Sequence, residues 1–177
     1  MDPLDETRAW LEKAVIGLNL CPFAKSVHAK GQIRWALSPA TEPAALVDEL
    51  MRELQFLAVA DPEAVDTTLL VHPHVLQDFA AFNDFQDVVD ALLVEMGLEG
   101  VLQVASFHPQ FQFAEGPADD IAHATNRAPY PTLHLLREAS IERAVEAFPQ
   151  PESIYERNIQ TLRELGHDGL QRLLATR

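Results

Sequence analysis

A single cysteine rules out any disulfide within the chain and agrees with a reducing cytoplasm, where the protein is expected to reside. Basic residues are scarce as well: 13 Lys and Arg stand against 27 Asp and Glu, for a net charge of −14. Nucleic-acid binders gain much of their affinity from basic side chains that neutralise phosphates. Neither DNA nor RNA is therefore expected as a partner, and the same charge disfavours anionic membrane surfaces. No apolar run approaches the ~20 residues of a membrane helix. The acidic start, MDPLDETRAW, lacks the basic and apolar segments of a signal peptide. Glycine is sparse, and no glycine-rich phosphate loop, GxGxxG or GxSxG occurs, which counts against P-loop, Rossmann and α/β-hydrolase chemistry. No cofactor is implied.

What remains is an ordinary globular composition, 47% hydrophobic over 177 residues, enough for one domain spanning 1–177 with a sizeable core. Asp2 and Pro3 read as the cap and first residue of a helix whose Leu4, Leu11, Val15 and Leu18 share a face. Gln32–Ser38 alternates as a half-exposed strand. Thr41 to about Ala60 carries leucines at helical spacing, Thr67–His72 is a branched apolar strand, and Asp78–Met96 is a second long helix stopped by Gly97. Val101–Phe107 and Thr132–Arg137 read as further strands. Phe111–Phe113 is a short strand or bulge, and Glu115–Pro131 a loop. Ser140 is expected to cap a helix ending at Pro149, and Ser153 with Glu156 the next one, ending near Gly166. Strands separated by helices predict an α/β fold: one layered domain with about four strands in a mainly parallel sheet, the last strand being the one placed to run antiparallel. A ferredoxin-like α+β arrangement is the alternative.

The chemistry is concentrated between Ala105 and Glu138. His108, His123, Asn126, Arg127, His134, Arg137 and Glu138 stand there among aromatic residues and prolines. Polar groups are costly to bury without partners, so the stretch reads as the wall of a polar site. His108, held extended by Pro109 at a strand end, suits proton transfer. His134 shares a strand face with Thr132 and Leu136 and is expected to be buried and hydrogen-bonded, or else catalytic. His28, His123 and His167 are expected to be solvated. Arg127, with Asn126, lies in a loop stiffened by proline and suits recognition of a carboxylate or phosphate; Arg137 and Glu138 follow on the next strand. The opposing reading has Arg127 pinning the loop to Asp119, Asp120 or Glu138. Cys21 precedes Pro22, so it is either an activated nucleophile at a helix start or a small packed hydrophobe. His72 and His74 flank Pro73 near a strand end, but no HExxH, second cysteine or close carboxylate accompanies them, and no metal is assigned.

NLCPFA (19–24), SFHPQFQF (106–113), TNRAPYP (125–131) and LHLLREAS (133–140), in this order, resemble a bacterial family catalogued as domain-of-unknown-function family 1415. The resemblance covers nearly the whole chain and implies a soluble bacterial protein, without implying a reaction. The family pattern often has Ser in place of Ala128 and Tyr in place of Phe111, and it does not require His72 or His74. Its motif positions coincide with Cys21, His108, Asn126, Arg127, His134, Arg137 and Glu138.

Together these features predict a small-molecule enzyme, a hydrolase or group transferase. Arg127 and Arg137 would hold an anion, with Asn126 and Glu138 beside them. His108 and His134 would move protons, and Cys21 would attack. The alternatives are a binding module for an anionic metabolite, a metal-dependent enzyme with histidine ligands, and a protein in which these groups only brace a loop. The oligomeric state is not legible in the sequence.

Overall fold

The computed structural model describes residues 2–148 and 150–175. Helix α1 (Pro3–Trp10) begins as its sequence predicts, with Asp2 accepting from the Leu4 amide and Pro3 in the first turn. It continues as a π-helix (Leu11–Ile16), whose wider turns carry the Gly17 amide back to Glu12 O and the Leu20 amide back to Val15 O. Then follow α2 (Ala24–Ala29), β1 (Ile33–Leu37), α3 (Pro43–Val59), β2 (Thr67–Val71), α4 (Phe79–Glu95) and β3 (Leu102–Phe107). A 3₁₀ helix (Ile121–Asn126), β4 (Thr132–Arg137), α5 (Glu138–Ala147) and α6 (Pro151–Ala175) complete the order.

The four strands form one sheet in the order β1-β2-β4-β3, and the fold is a mixed α/β arrangement. The expectation of a mainly parallel sheet is corrected, since only β1 and β2 pair in parallel; the last strand, β4, runs antiparallel as expected, to both β2 and β3. The reason is the connection. β1 and β2 are joined through α3, a crossover that returns the chain to the same end of the sheet, so the two strands run in parallel. Between β3 and β4 no long helix intervenes, so the chain turns back and β4 inserts between β2 and β3.

The alternation along the strands divides the sheet into two faces. Ala36, Leu70, Leu133, Leu135, Leu102 and Val104 point to α3 and α4, where Leu46, Leu50, Leu54, Leu57, Phe82, Phe85 and Val89 complete the main core. Ile33, Trp35 and Phe107 point the other way, to Trp10, Leu11, Ala14 and Val15 of the first helical segment. A third small cluster joins Leu20, Ile121 and Leu162, so that α6 packs over the 3₁₀ helix.

Three local expectations are also corrected. Phe111–Phe113 makes no strand, and the segment expected to be a loop contains the 3₁₀ helix, started by Asp120 accepting from the Ala122 amide. Helix α5 starts at Glu138, so Ser140 lies inside it and bonds Asp66 instead of capping. The expected stop at Pro149 lies outside the described residues. Helix α6 begins at Pro151, and Gly166 interrupts it with φ 73°.

Candidate functional site

The site segment crosses the end of the sheet where β3 stops and β4 begins. Most of its polar groups bond one another. His108 is buried against Phe79 and Phe82 of α4, with ring centroids 5.4 and 4.9 Å away. Its Nδ1 accepts the Gln110 amide at 3.0 Å, which leaves the proton on Nε2 to donate to Leu76 O at 3.1 Å. Burial lowers its pKa, opposed by the Leu76 and Gln77 carbonyls and by Asp78. The ring is thus a neutral clip between two loops. His123, expected in solvent, is buried in the same manner: Nδ1 accepts the Phe113 amide and Nε2 donates to Pro117 O at 2.8 Å. Asn126 donates to Ser106 O, takes the Thr125 hydroxyl on its own oxygen, and offers its backbone carbonyl to the His108 amide. These groups lock the loop onto β3.

Arg127 is only half committed. Its Nε donates to Phe111 O at 2.9 Å and its Nη2 to Ala118 O at 3.3 Å. Pairing with Asp119, Asp120 or Glu138 does not occur; Asp120 instead lies 3.9 Å from Arg163. Arg127 also lines a pocket of about 390 Å³, together with Asp78, Phe79, Pro109, Gln110 and Gln112. One wall is the start of α4 and the other the HPQFQF segment, and the His108 clip spans the two. Next to that wall Leu76 adopts φ 59°, a left-handed conformation that costs a branched side chain about 1 kcal/mol or more. Strain of this kind collects at functional sites.

Cys21 lies elsewhere. It is half-buried against the Trp10, Leu11, Ala14, Val15 and Ala128 cluster, on the opposite side of the sheet from His108, and no histidine hydrogen-bonds to it among the described residues. His134 is on the Cys21 side, its ring 5.9 Å from Phe107, a residue of the same cluster. The Thr67 hydroxyl gives its one proton to Leu135 O, so it accepts from His134 Nε2 at 2.8 Å. Nδ1 of His134 makes no hydrogen bond among the described residues. Burial pushes the pKa of this ring down to about 4, with Asp66 opposing.

Arg137 is far from Arg127, because the whole of β4, roughly 20 Å by strand rise, lies between them. Its Nη2 bonds Ala60 O and Val65 O, joining the end of α3 to the start of β2, while its Nε is buried and unpaired. Glu138 begins α5 at that same remote end, its amide bonded to Val101 O. One anion cannot touch both arginines. The structure therefore brings together His108, Asn126 and Arg127, and separately sets Cys21 and His134 on one sheet face.

Asp78, Phe79, Gln110 and Gln112 were not singled out by the sequence reading. For Gln110 and Gln112 the alternation of QFQF is the one visible signal: Phe111 and Phe113 turn inward to Phe79 and His123, and the two glutamines stay exposed. His72 is fully buried and stacked on Phe82 while His74 is exposed, and among the described residues no three His, Cys, Asp or Glu gather as a metal site. Among the described residues no helix is long and apolar enough to cross a membrane.

No curated protein and no solved structure matches the chain. The profile of one family, described as protein of unknown function (DUF1415), matches residues 2–172, and the chain belongs to that family.

Proposed function

We propose that the chain binds a small molecule carrying an anionic group, held by Arg127 in the pocket between the start of α4 and the HPQFQF segment. One observation carries this reading: a guanidinium anchored by two backbone carbonyls lines an open pocket and makes no ion pair there among the described residues. Anchoring matters because a fixed fork loses little freedom when it meets a carboxylate. His108 acts beneath the pocket as a positioning residue. Its two nitrogens are already occupied, which leaves no free site for proton transfer.

The test is Arg127→Gln, compared with wild type by calorimetry against small carboxylates and inorganic phosphate. Loss of one charge-assisted contact is expected to weaken binding at least about tenfold. Unchanged affinity for every probe would remove the reading. His108→Gln should act differently, lowering stability and loosening the pocket without removing the anion contact.

Catalysis by Cys21 and His134, as a hydrolase or group transferase, is a second reading. It is favoured by the free Nδ1 of His134 on the sheet face that also carries Cys21. Alkylation of Cys21 by iodoacetamide would then slow in His134→Gln, whereas equal rates would count against a working pair.

A further inference from the structure

We infer that the ligand of the Arg127 pocket is a zwitterion of the amino-acid class, with one carboxylate and one ammonium group. This rests on the anion-binding reading above and goes beyond it. The pocket holds two formal charges of opposite sign, Arg127 and Asp78, on different walls. Asp78 spends Oδ2 on the Ala81 amide at 3.0 Å, and its other oxygen makes no hydrogen bond among the described residues. A ligand ammonium would find an acceptor there while its carboxylate meets the guanidinium. Phe79 lies beside Asp78 on that wall, held by a tilted ring contact to His108 and an edge contact to Phe111, both at 5.4 Å. An aromatic face beside a carboxylate suits an ammonium group. Gln110 and Gln112 supply amides that donate or accept, and so tolerate either end.

Other ligand classes fit less well. A phosphate ester would normally use the amides at a helix start, but Asp78 already occupies the start of α4 and places a negative charge there. Long-range repulsion from a chain of net charge −14 also lowers the local concentration of polyanions, and a net-neutral ligand escapes it. A simple amine would bring no anion to Arg127.

The experiment compares free amino acids, tested singly, with their N-acetyl derivatives, their methyl esters and inorganic phosphate, by calorimetry on the full chain. At least one free amino acid should bind about tenfold or more tightly than either of its blocked forms. Asp78→Asn retains an oxygen for the Ala81 amide, so the helix start survives. It should weaken the free amino acid about tenfold and leave the N-acetyl derivative equal or stronger. Arg127→Gln should weaken both. If phosphate or the N-acetyl form binds wild type more tightly than any free amino acid, and Asp78→Asn strengthens it, the zwitterion is wrong and the Arg127 anion site stands. If no probe binds wild type and Arg127→Gln changes nothing, both fall.

Discussion

At the scale of single residues, the histidines differ in what their nitrogens do, and that sets the response to acid. His72 is fully buried, donates from Nδ1 to Val75 O, and has its Nε2 unpaired; burial pushes its pKa from 6.5 to about 4, with a further lowering from the nearby His108. His134 is likewise held near 4. A folded-state pKa below the unfolded one means that the unfolded chain takes up protons first. The stability gained by keeping these rings neutral is complete above pH 6.5 and is lost as the pH falls toward 4. At about pH 5 each ring should account for roughly 2 kcal/mol of that loss. His134→Gln, whose amide can still donate to Thr67, should shrink the difference in denaturation free energy between about pH 7 and about pH 5 by that amount. An undiminished acid sensitivity would show that His134 is not its source. The residue types of the site were legible because buried polar groups among aromatics are unusual. Their pairings were not. Nothing in HPQ marks the Nδ1 of His108 as taken by the Gln110 amide, and nothing in TLHLL marks Thr67, a residue of another strand, as the partner that leaves His134 Nδ1 free.

At the scale of elements, the strands and long helices follow their periodicity closely, and Thr132–Arg137 is observed with the bounds expected of it. What local pattern could not supply was the place of β4 in the sheet, between β2 and β3. The long loop before Thr132 marks it as the strand to run antiparallel, but a strand's own residues do not say which neighbours it will pair with. The π-helix was hidden for a related reason. Apolar residues at Leu11, Val15 and Leu18 satisfy an ordinary helical period, but the wider turns rotate the later residues, so Leu18 leaves the face of Leu11 and Val15 and packs with Leu20 and Leu162. Gly17 marks the wide turn after the fact: a Cβ there would lie 2.2 Å from Lys13 O. Gly17→Ala is therefore expected to destabilise the chain by about 1–3 kcal/mol, the usual range for forced overpacking, although alanine would favour a regular helix. Thermal denaturation checks the sign. A rise in melting temperature would mean that the segment relaxes to α-helix at no cost, and that the π geometry does not depend on the glycine.

At the scale of the whole molecule, the pocket depends on a part of the chain far away in sequence. Arg127 follows directly on the 3₁₀ helix, which lies under α6 with Ile121 against Leu20 and Leu162. Asn158 of α6 also donates to Leu20 O at 2.7 Å, and His167 donates to Asp119 O at 3.0 Å. The last helix thus holds down both the turn that carries Cys21 and the loop that carries Arg127. Leu162 is completely buried there, so Leu162→Ala should cost about 2–5 kcal/mol through lost transfer energy and the cavity left behind. The loss should not be spread evenly. The main core between the sheet and α3–α4 does not include Leu162, so amide exchange in β2 and β4 should rise only with global stability. Exchange across 115–127 should rise by more, because the small cluster is the support of that segment. Affinity for an anion at the proposed site should fall with it, since ordering a loosened Arg127 loop draws on binding free energy. Equal increases in exchange throughout the chain would mean instead that α6 and the sheet unfold as one unit, and that the pocket has no separate brace.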